Sequence, residues 1–300
     1  MNDLIKAVLS DRIKGVRFDE CMKKHTTMKA GGTAGAFVCV KESNQLINAI
    51  ETAKSLNLPY RVIGNGSNII IRDGGYNGLI IALGKLFGGG SKNENEATFG
   101  AGMSLFAVGM FCALNELSGL EWAFGIPGTV GGACYMNAGA YGHNWGEFVT
   151  KIEVYDGKEI LIINKDELSF GYRSSTVKDK NLIVLSCTVK LSMGKGPEIQ
   201  AKQMEYLQKR KSSQPLEFPS SGSVFKRNEI FYPAKAIDDL GLKGLKVGDA
   251  EISKKHAGFI INKKNATCQN IENLIQLITD KVYKSFGVML EKEIEFFGDK

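Results

Sequence analysis

The chain has 300 residues, 43% hydrophobic and 23% charged, which excludes a disordered tail and suits two or more packed cores at roughly 150 residues per domain. Its 38 Lys and Arg against 32 Asp and Glu leave a net charge of +6, too thinly spread for the dense basic clusters of a nucleic-acid binder. Glycine is the outlier at 35 residues, while six prolines exclude a proline-rich linker protein.

In chain order, a short helix is expected from Leu4 to Leu9, and Gly35–Val40 reads as a buried strand. Ser43 or Asn44 is expected to cap a helix with Leu46, Ile47, Ile50 and Ala53 on its apolar face, ending before Pro59. Tyr60–Ile63 and Ile69–Ile71 read as strands flanking Gly64-Asn65-Gly66-Ser67-Asn68, which makes a β-α-β beginning. Ser104 is expected to cap a helix carrying Leu105, Val108, Phe111, Leu114 and Leu117, followed by the glycine-rich segment Gly125 to Gly142. Ile152–Tyr155 and Asn181–Leu191 read as strands of a second lobe, and Met193–Pro197 as a linker. Beyond it come a polar helix, Glu198 to Lys209, and a strongly periodic one with Ile271, Leu274, Ile275, Ile278 and Val282 on one face, ended by Gly287. The alternating run Val288–Phe297 reads as a final strand, with Glu291, Glu293 and Glu295 on one side.

No run approaches the roughly 18 apolar residues of a membrane span. Met1-Asn2-Asp3 lacks the basic start of a secretory signal, so the expected compartment is the cytoplasm. The six cysteines are scattered without a CxxC pair and are expected as buried thiols. His25, His143 and His256 share no metal-ligand spacing, so no metal site is expected.

Gly64–Asn68 is no dinucleotide fingerprint, because Ile69 holds the third glycine position and a strand follows where a helix should begin. Such a loop can present backbone N–H groups to a phosphate, or it is an ordinary tight turn. Gly125-Ile126-Pro127-Gly128-Thr129-Val130-Gly131-Gly132-Ala133 is more telling. Each glycine inside an element costs about 0.5–1 kcal/mol relative to alanine, so this density suits a flat or phosphate-bearing ligand against bare main chain, with plain turns as the alternative. Arg173 can hold a carboxylate in a bidentate pair or lie solvated. Ser223 sits in no GxSxG elbow and reads equally as a turn or cap. One buried glutamate in the terminal row would do acid–base work, and otherwise the row faces water. Lys209-Arg210-Lys211 can receive a diphosphate or form a solvated basic face.

Several segments in order carry a family resemblance: Gly64–Asn68, Gly125–Gly142, Gly171-Tyr172-Arg173-Ser174-Ser175, Gln214-Pro215-Leu216, Gly222-Ser223-Val224-Phe225-Lys226, His256–Asn262 and Leu290-Glu291-Lys292-Glu293. From about Thr26 to Gly298 the chain resembles the UDP-N-acetylenolpyruvoylglucosamine reductases, in their shorter subtype lacking a tyrosine-bearing loop. The resemblance implies an α+β chain with a vanillyl-alcohol-oxidase-type (PCMH-type) FAD-binding fold of two lobes, 1–78 and 79–194, plus a C-terminal α+β substrate-binding domain, 195–300. It implies non-covalent FAD held by Gly64, Asn65, Gly66, Ser67, Asn68, Gly125, Ile126, Gly128, Thr129, Gly131, Gly132 and Ala133, and NADPH as co-substrate. It implies Arg173, Ser223 and Glu293 as catalytic residues, and Tyr172, Lys211 and His256 at a UDP-sugar substrate. A monomer without nucleic-acid or membrane partners is expected. The chain departs from the family pattern at Arg227-Asn228, where Asn-Pro is common, and at Glu295, where arginine is frequent. Competing readings are another flavin oxidoreductase of the same fold and a nonenzymatic nucleotide- or RNA-binding protein.

Overall fold

The apolar runs of Thr33–Val40 and Tyr76–Leu83 are buried on both faces and pair in parallel, Phe37 opposite Ile80. In this computed structural model, which describes residues 1–84, 87–227 and 230–299, they are the central strands of a four-stranded sheet whose edges are Arg17–Cys21 and Tyr60–Ile63. Helix Ser43–Ser55 covers one face, where Leu46, Ala49, Ile50 and Ala53 meet Ala36, Val38, Leu79 and Ile81. The cap differs from expectation. Ser43 is already helical, Glu42 holds the cap position without a side-chain bond, and Gln45 Oε1 accepts instead from Lys41 N at 2.8 Å. The N-terminal helix runs longer than expected, Asp3–Arg12.

The second lobe is a five-stranded antiparallel sheet, ordered Ile160–Asn164, Val149–Tyr155, Ile183–Lys190, Glu96–Gly100, Gly90–Asn93. Ser104 Oγ caps helix Leu105–Leu114 by accepting from Ala107 N at 3.1 Å, as expected. The short helix Val130–Met136, which follows the glycine-rich loop, packs on Ile183–Lys190.

A third sheet, Ser220–Ser223, Phe259–Asn262, Ala250–Ile252 and Lys246–Val247 in that order, lies under helix Cys268–Phe286. The apolar face read from the sequence is buried there, and Gly287 ends the helix in the left-handed region at φ 69°.

Several contacts bind this lobe, and the helix that precedes it in the chain, to the others. Asp73 of the first lobe accepts from Cys268 N at 3.0 Å and Gln269 N at 2.8 Å, satisfying free donors of that helix. Met28, Ala30 and Ile70 share its core. Helix Gly196–Ser213 packs on Leu105–Leu114, with Gln203 Nε2 donating to Gly109 O at 2.8 Å. Met193–Pro197 is therefore not a free linker: Ser192–Met193 pairs with Leu117–Ser118, and the helix starts at Gly196.

The alternating C-terminal run is not one strand either. Residues Glu291–Glu293 bond to Val224–Lys226 of the third lobe, after which Glu295–Phe297 pairs in parallel with Ile69–Ile71 of the first. The chain changes partner at Ile294, which divides the run between two lobes.

Candidate active site

A cavity of about 1450 Å³ opens where the lobes meet. Every residue expected at the cofactor lines it, from both the 64–68 and the 125–133 loops. The loops touch: a Cβ on Gly64 would come within 2.4 Å of Thr129 Oγ1. Gly66, at φ 63°, lies so close to His25 that a Cβ would meet its carbonyl oxygen at 2.0 Å. A Cβ on Gly128 or Gly132, by contrast, would meet nothing nearer than 3.8 and 3.6 Å, ordinary contact, so packing within the chain does not require glycine at either position.

Arg173 occupies the turn between Phe170–Gly171 and Ser174–Ser175, in the left-handed region at φ 55°. Such a conformation in a non-glycine residue costs of order 1 kcal/mol and clusters at functional sites. Its Nε donates to Glu293 Oε1 at 2.6 Å. Ser223 closes strand Ser220–Ser223, and the next residue, Val224, accepts from Glu293 N at 2.8 Å. Asn68 ties the acid to the first lobe: its Nδ2 donates to Glu293 O at 3.1 Å and its carbonyl accepts from Glu295 N at 3.0 Å. Arg173, Ser223 and Glu293, from three distant stretches of sequence, thus line one cavity.

The glutamates do not share one environment. Glu291 is exposed and pairs with Lys226, outside the cavity lining, whereas Glu295 lines the cavity and pairs with Lys178 at 2.8 Å. Glu293 is the least exposed of the three, its side chain 12% exposed.

Tyr172 stands at the cavity wall, its ring 4.9 Å from the Arg173 guanidinium and 5.9 Å from that of Arg227. His256 also lines the cavity; its Nδ1 accepts from Gly258 N at 3.1 Å, and burial pushes its pKa below the ordinary imidazole value. Asn228 lies outside the described residues.

Lys211 is not brought to the site. It is exposed and absent from the cavity lining, and its carbonyl accepts from Lys255 Nζ. Successive helical residues point about 100° apart, and helix Gly196–Ser213 turns Arg210 inward instead. Arg210 is 8% exposed, and bare Gly125 makes room for it: a Cβ there would stand 2.7 Å from Arg210 Cδ.

Sequence reasoning held Arg210 only within a basic triplet and Gln214 only within a family segment, and singled out neither of them, nor Ser221, as a site residue. Among the described residues, six buried side-chain polar atoms have no hydrogen-bond partner. Two are tryptophan Nε1 atoms; the other four, Arg210 Nε, Gln214 Oε1, Ser221 Oγ and Glu293 Oε2, belong to cavity-lining residues. Each such group costs about 1–3 kcal/mol unless a ligand satisfies it. A polar ligand with donors and acceptors along one edge would do so. The basic triplet does not reveal which of its members faces in, and the family segment does not reveal that Gln214 Oε1 stays unpartnered.

The family model of the UDP-N-acetylenolpyruvoylglucosamine reductase C-terminal domain matches residues 214–297, and that of an FAD-binding domain matches 34–162. The UDP-N-acetylenolpyruvoylglucosamine reductase of Clostridium tetani is 41% identical, over 100% of this chain and 96% of its own length. That of Caldanaerobacter subterraneus subsp. tengcongensis is 40% identical, over 98% of this chain and 99% of its own. The chain belongs to the UDP-N-acetylenolpyruvoylglucosamine reductase family. The crystal structure of the enzyme from Thermus caldophilus superposes with a TM-score of 0.79 at 32% identity, covering 94% of this chain and 100% of that one. The fold is accordingly the two-lobed, PCMH-type FAD-binding architecture with the family's C-terminal domain.

The cavity fits FAD on two observations of the chain itself. Gly128 and Gly132 line the cavity although packing within the chain does not require glycine there, which suits bare main chain against a phosphate or ring. The unpartnered Arg210 Nε, Gln214 Oε1 and Ser221 Oγ leave donors and an acceptor in the cavity wall for a polar ligand.

Proposed function

We propose that the chain reduces UDP-N-acetylglucosamine enolpyruvate to UDP-N-acetylmuramate in peptidoglycan precursor synthesis, with non-covalent FAD as cofactor and NADPH as reductant. FAD, when bound, supplies the hydride that enters at C3 of the enolpyruvyl ether. The remaining work falls to the protein. Hydride addition builds enolate charge on the substrate carboxylate, and Arg173 meets it with its Nη groups while Glu293 holds its Nε. Glu293 keeps the guanidinium in place through Oε1 and leaves Oε2 unpartnered in the cavity, within the site where that charge develops. Ser223 Oγ gives its proton to C2, completing the addition. Tyr172 and His256 flank the sugar nucleotide. Lys211 contacts the diphosphate only if the end of its helix turns, so Arg210 takes the inward place in this reading.

The two lobes 1–78 and 79–194 then hold FAD and the domain 195–300 holds substrate, in a cytoplasmic monomer. No helix among the described residues is long and apolar enough to cross a membrane. The observation that carries the proposal is the convergence of Arg173, Ser223 and Glu293 on a cavity walled by two bare glycine loops.

Separate half-reactions test it. Ser223→Ala is expected to leave reduction of bound flavin by NADPH near the wild-type rate and to slow transfer to substrate by about 10²–10⁴-fold. Equal loss in both half-reactions contradicts the role given to Ser223. Turnover of a simple sugar with oxygen, without activity on the enolpyruvyl ether, would favour another oxidoreductase of this fold.

A further inference from the structure

Among the described residues, two ion pairs join the second lobe to the C-terminal segment, and only one involves a residue given a catalytic role above. Arg173 holds Glu293, and Lys178 Nζ holds Glu295 Oε1 at 2.8 Å. Both cations come from Phe170–Asp179, the hairpin and the helical turn after it, and both acids from one extended stretch.

Lys178 has further neighbours. Its Nζ lies 3.4 Å from Met136 Sδ and 5.2 Å from the centre of the Tyr135 ring, both at the end of the helix that follows the glycine-rich loop. Glu295 begins the strand that pairs with Ile69–Ile71, and its N–H is bound to Asn68 O. The pair therefore sits where the 64–68 loop, the end of helix Val130–Met136, the arginine hairpin and the acid-bearing segment meet. Lys178 itself is outside the cavity lining, so it is not there to touch a ligand.

An unpaired Glu295, two residues from Glu293 and lining the same cavity, would place a second carboxylate in competition for Arg173. Its charge would also oppose the negative charge that develops on the substrate. We infer that Lys178 is a positioning residue for the reaction: by taking Glu295 it leaves Arg173 to Glu293, and it fastens the acid-bearing segment so that Glu293 Oε2 stays in the cavity. The inference rests on the reduction proposed above. A pair this exposed, 26% and 36% at the side chains, adds little to stability, so its effect belongs in turnover.

The test uses the FAD-bound enzyme with Lys178→Met, Lys178→Arg and the double exchange Lys178→Glu/Glu295→Lys. Lys178→Met is expected to keep its FAD, its melting temperature and its rate of flavin reduction by NADPH. Its kcat with UDP-N-acetylglucosamine enolpyruvate should fall about tenfold, with little change in KM, as expected for a displaced catalytic group. Lys178→Arg should recover most of the loss, and the exchanged pair a substantial part of it. Unchanged kcat in Lys178→Met overturns the inference, as does a loss that neither other variant relieves. Loss of FAD or of melting temperature in Lys178→Met also overturns it, by making the pair structural. A wild-type enzyme inactive on this substrate would bring down the reaction itself, whereas failed rescue in an active enzyme removes only Lys178.

Discussion

At the scale of single residues, the site combines what spacing reveals with what it hides. Arg173, Ser223 and Glu293 were identifiable through family resemblance, yet nothing in their own neighbourhoods shows that Arg173 adopts a left-handed φ or that Glu293 keeps one oxygen unpartnered. Lys211 against Arg210 shows the limit: adjacent cations are alike in sequence, and only the helix phase decides which is buried. His256 gives a pH-dependent prediction. Burial, then the charge of Lys243, lowers its pKa, opposed by its backbone hydrogen bond and Asp238, and Nδ1 must stay unprotonated to accept from Gly258. The unfolded chain then binds a proton that the folded chain refuses. The contribution of His256 is present above about pH 6.5 and is lost as pH falls through the folded value. The melting temperature should therefore decline on acidification below that point, more steeply in the wild type than in His256→Gln. Identical profiles would show that the imidazole is not responsible.

At the scale of elements, local signals succeed where one neighbour decides the conformation. The helix Cys268–Phe286 is readable because a single apolar face packs on a single sheet and Gly287 supplies its left-handed end. The last run misleads because alternation records which side chains are apolar and not which strand lies alongside. It serves the third lobe up to Glu293 and the first lobe from Glu295, and this change of partner is what delivers Glu293 to the cavity. The glycine loops were readable as bare backbone, but not as two loops in mutual contact at Gly64 and Thr129. Gly66 is the stringent position among them. Gly66→Ala must combine a positive φ with a 2.0 Å approach to the His25 carbonyl oxygen, so the loop has to move. Titration with FAD should show at least about tenfold weaker binding, corresponding to about 1.4 kcal/mol or more. Unchanged affinity would mean that this loop does not form the cofactor's wall.

At the scale of the whole molecule, the lobes are tied by side chains reaching across their boundaries: Asp73 to the helix Cys268–Phe286, Asn68 to Glu293, and Lys178 to Glu295. The last two of these ties lie beside Arg173 and Glu293, two of the three proposed reacting groups. They also explain why composition and periodicity stop short of a reaction, since the chemistry arises only where the lobes face one another. The most direct measurement follows the visible spectrum of the purified, FAD-loaded protein without oxygen, first with NADPH and then with UDP-N-acetylglucosamine enolpyruvate. The flavin absorbance should bleach and then return in proportion to the substrate added, with UDP-N-acetylmuramate formed in equal amount. A protein that binds no flavin, or a bleached flavin that this substrate leaves unchanged, would contradict the account.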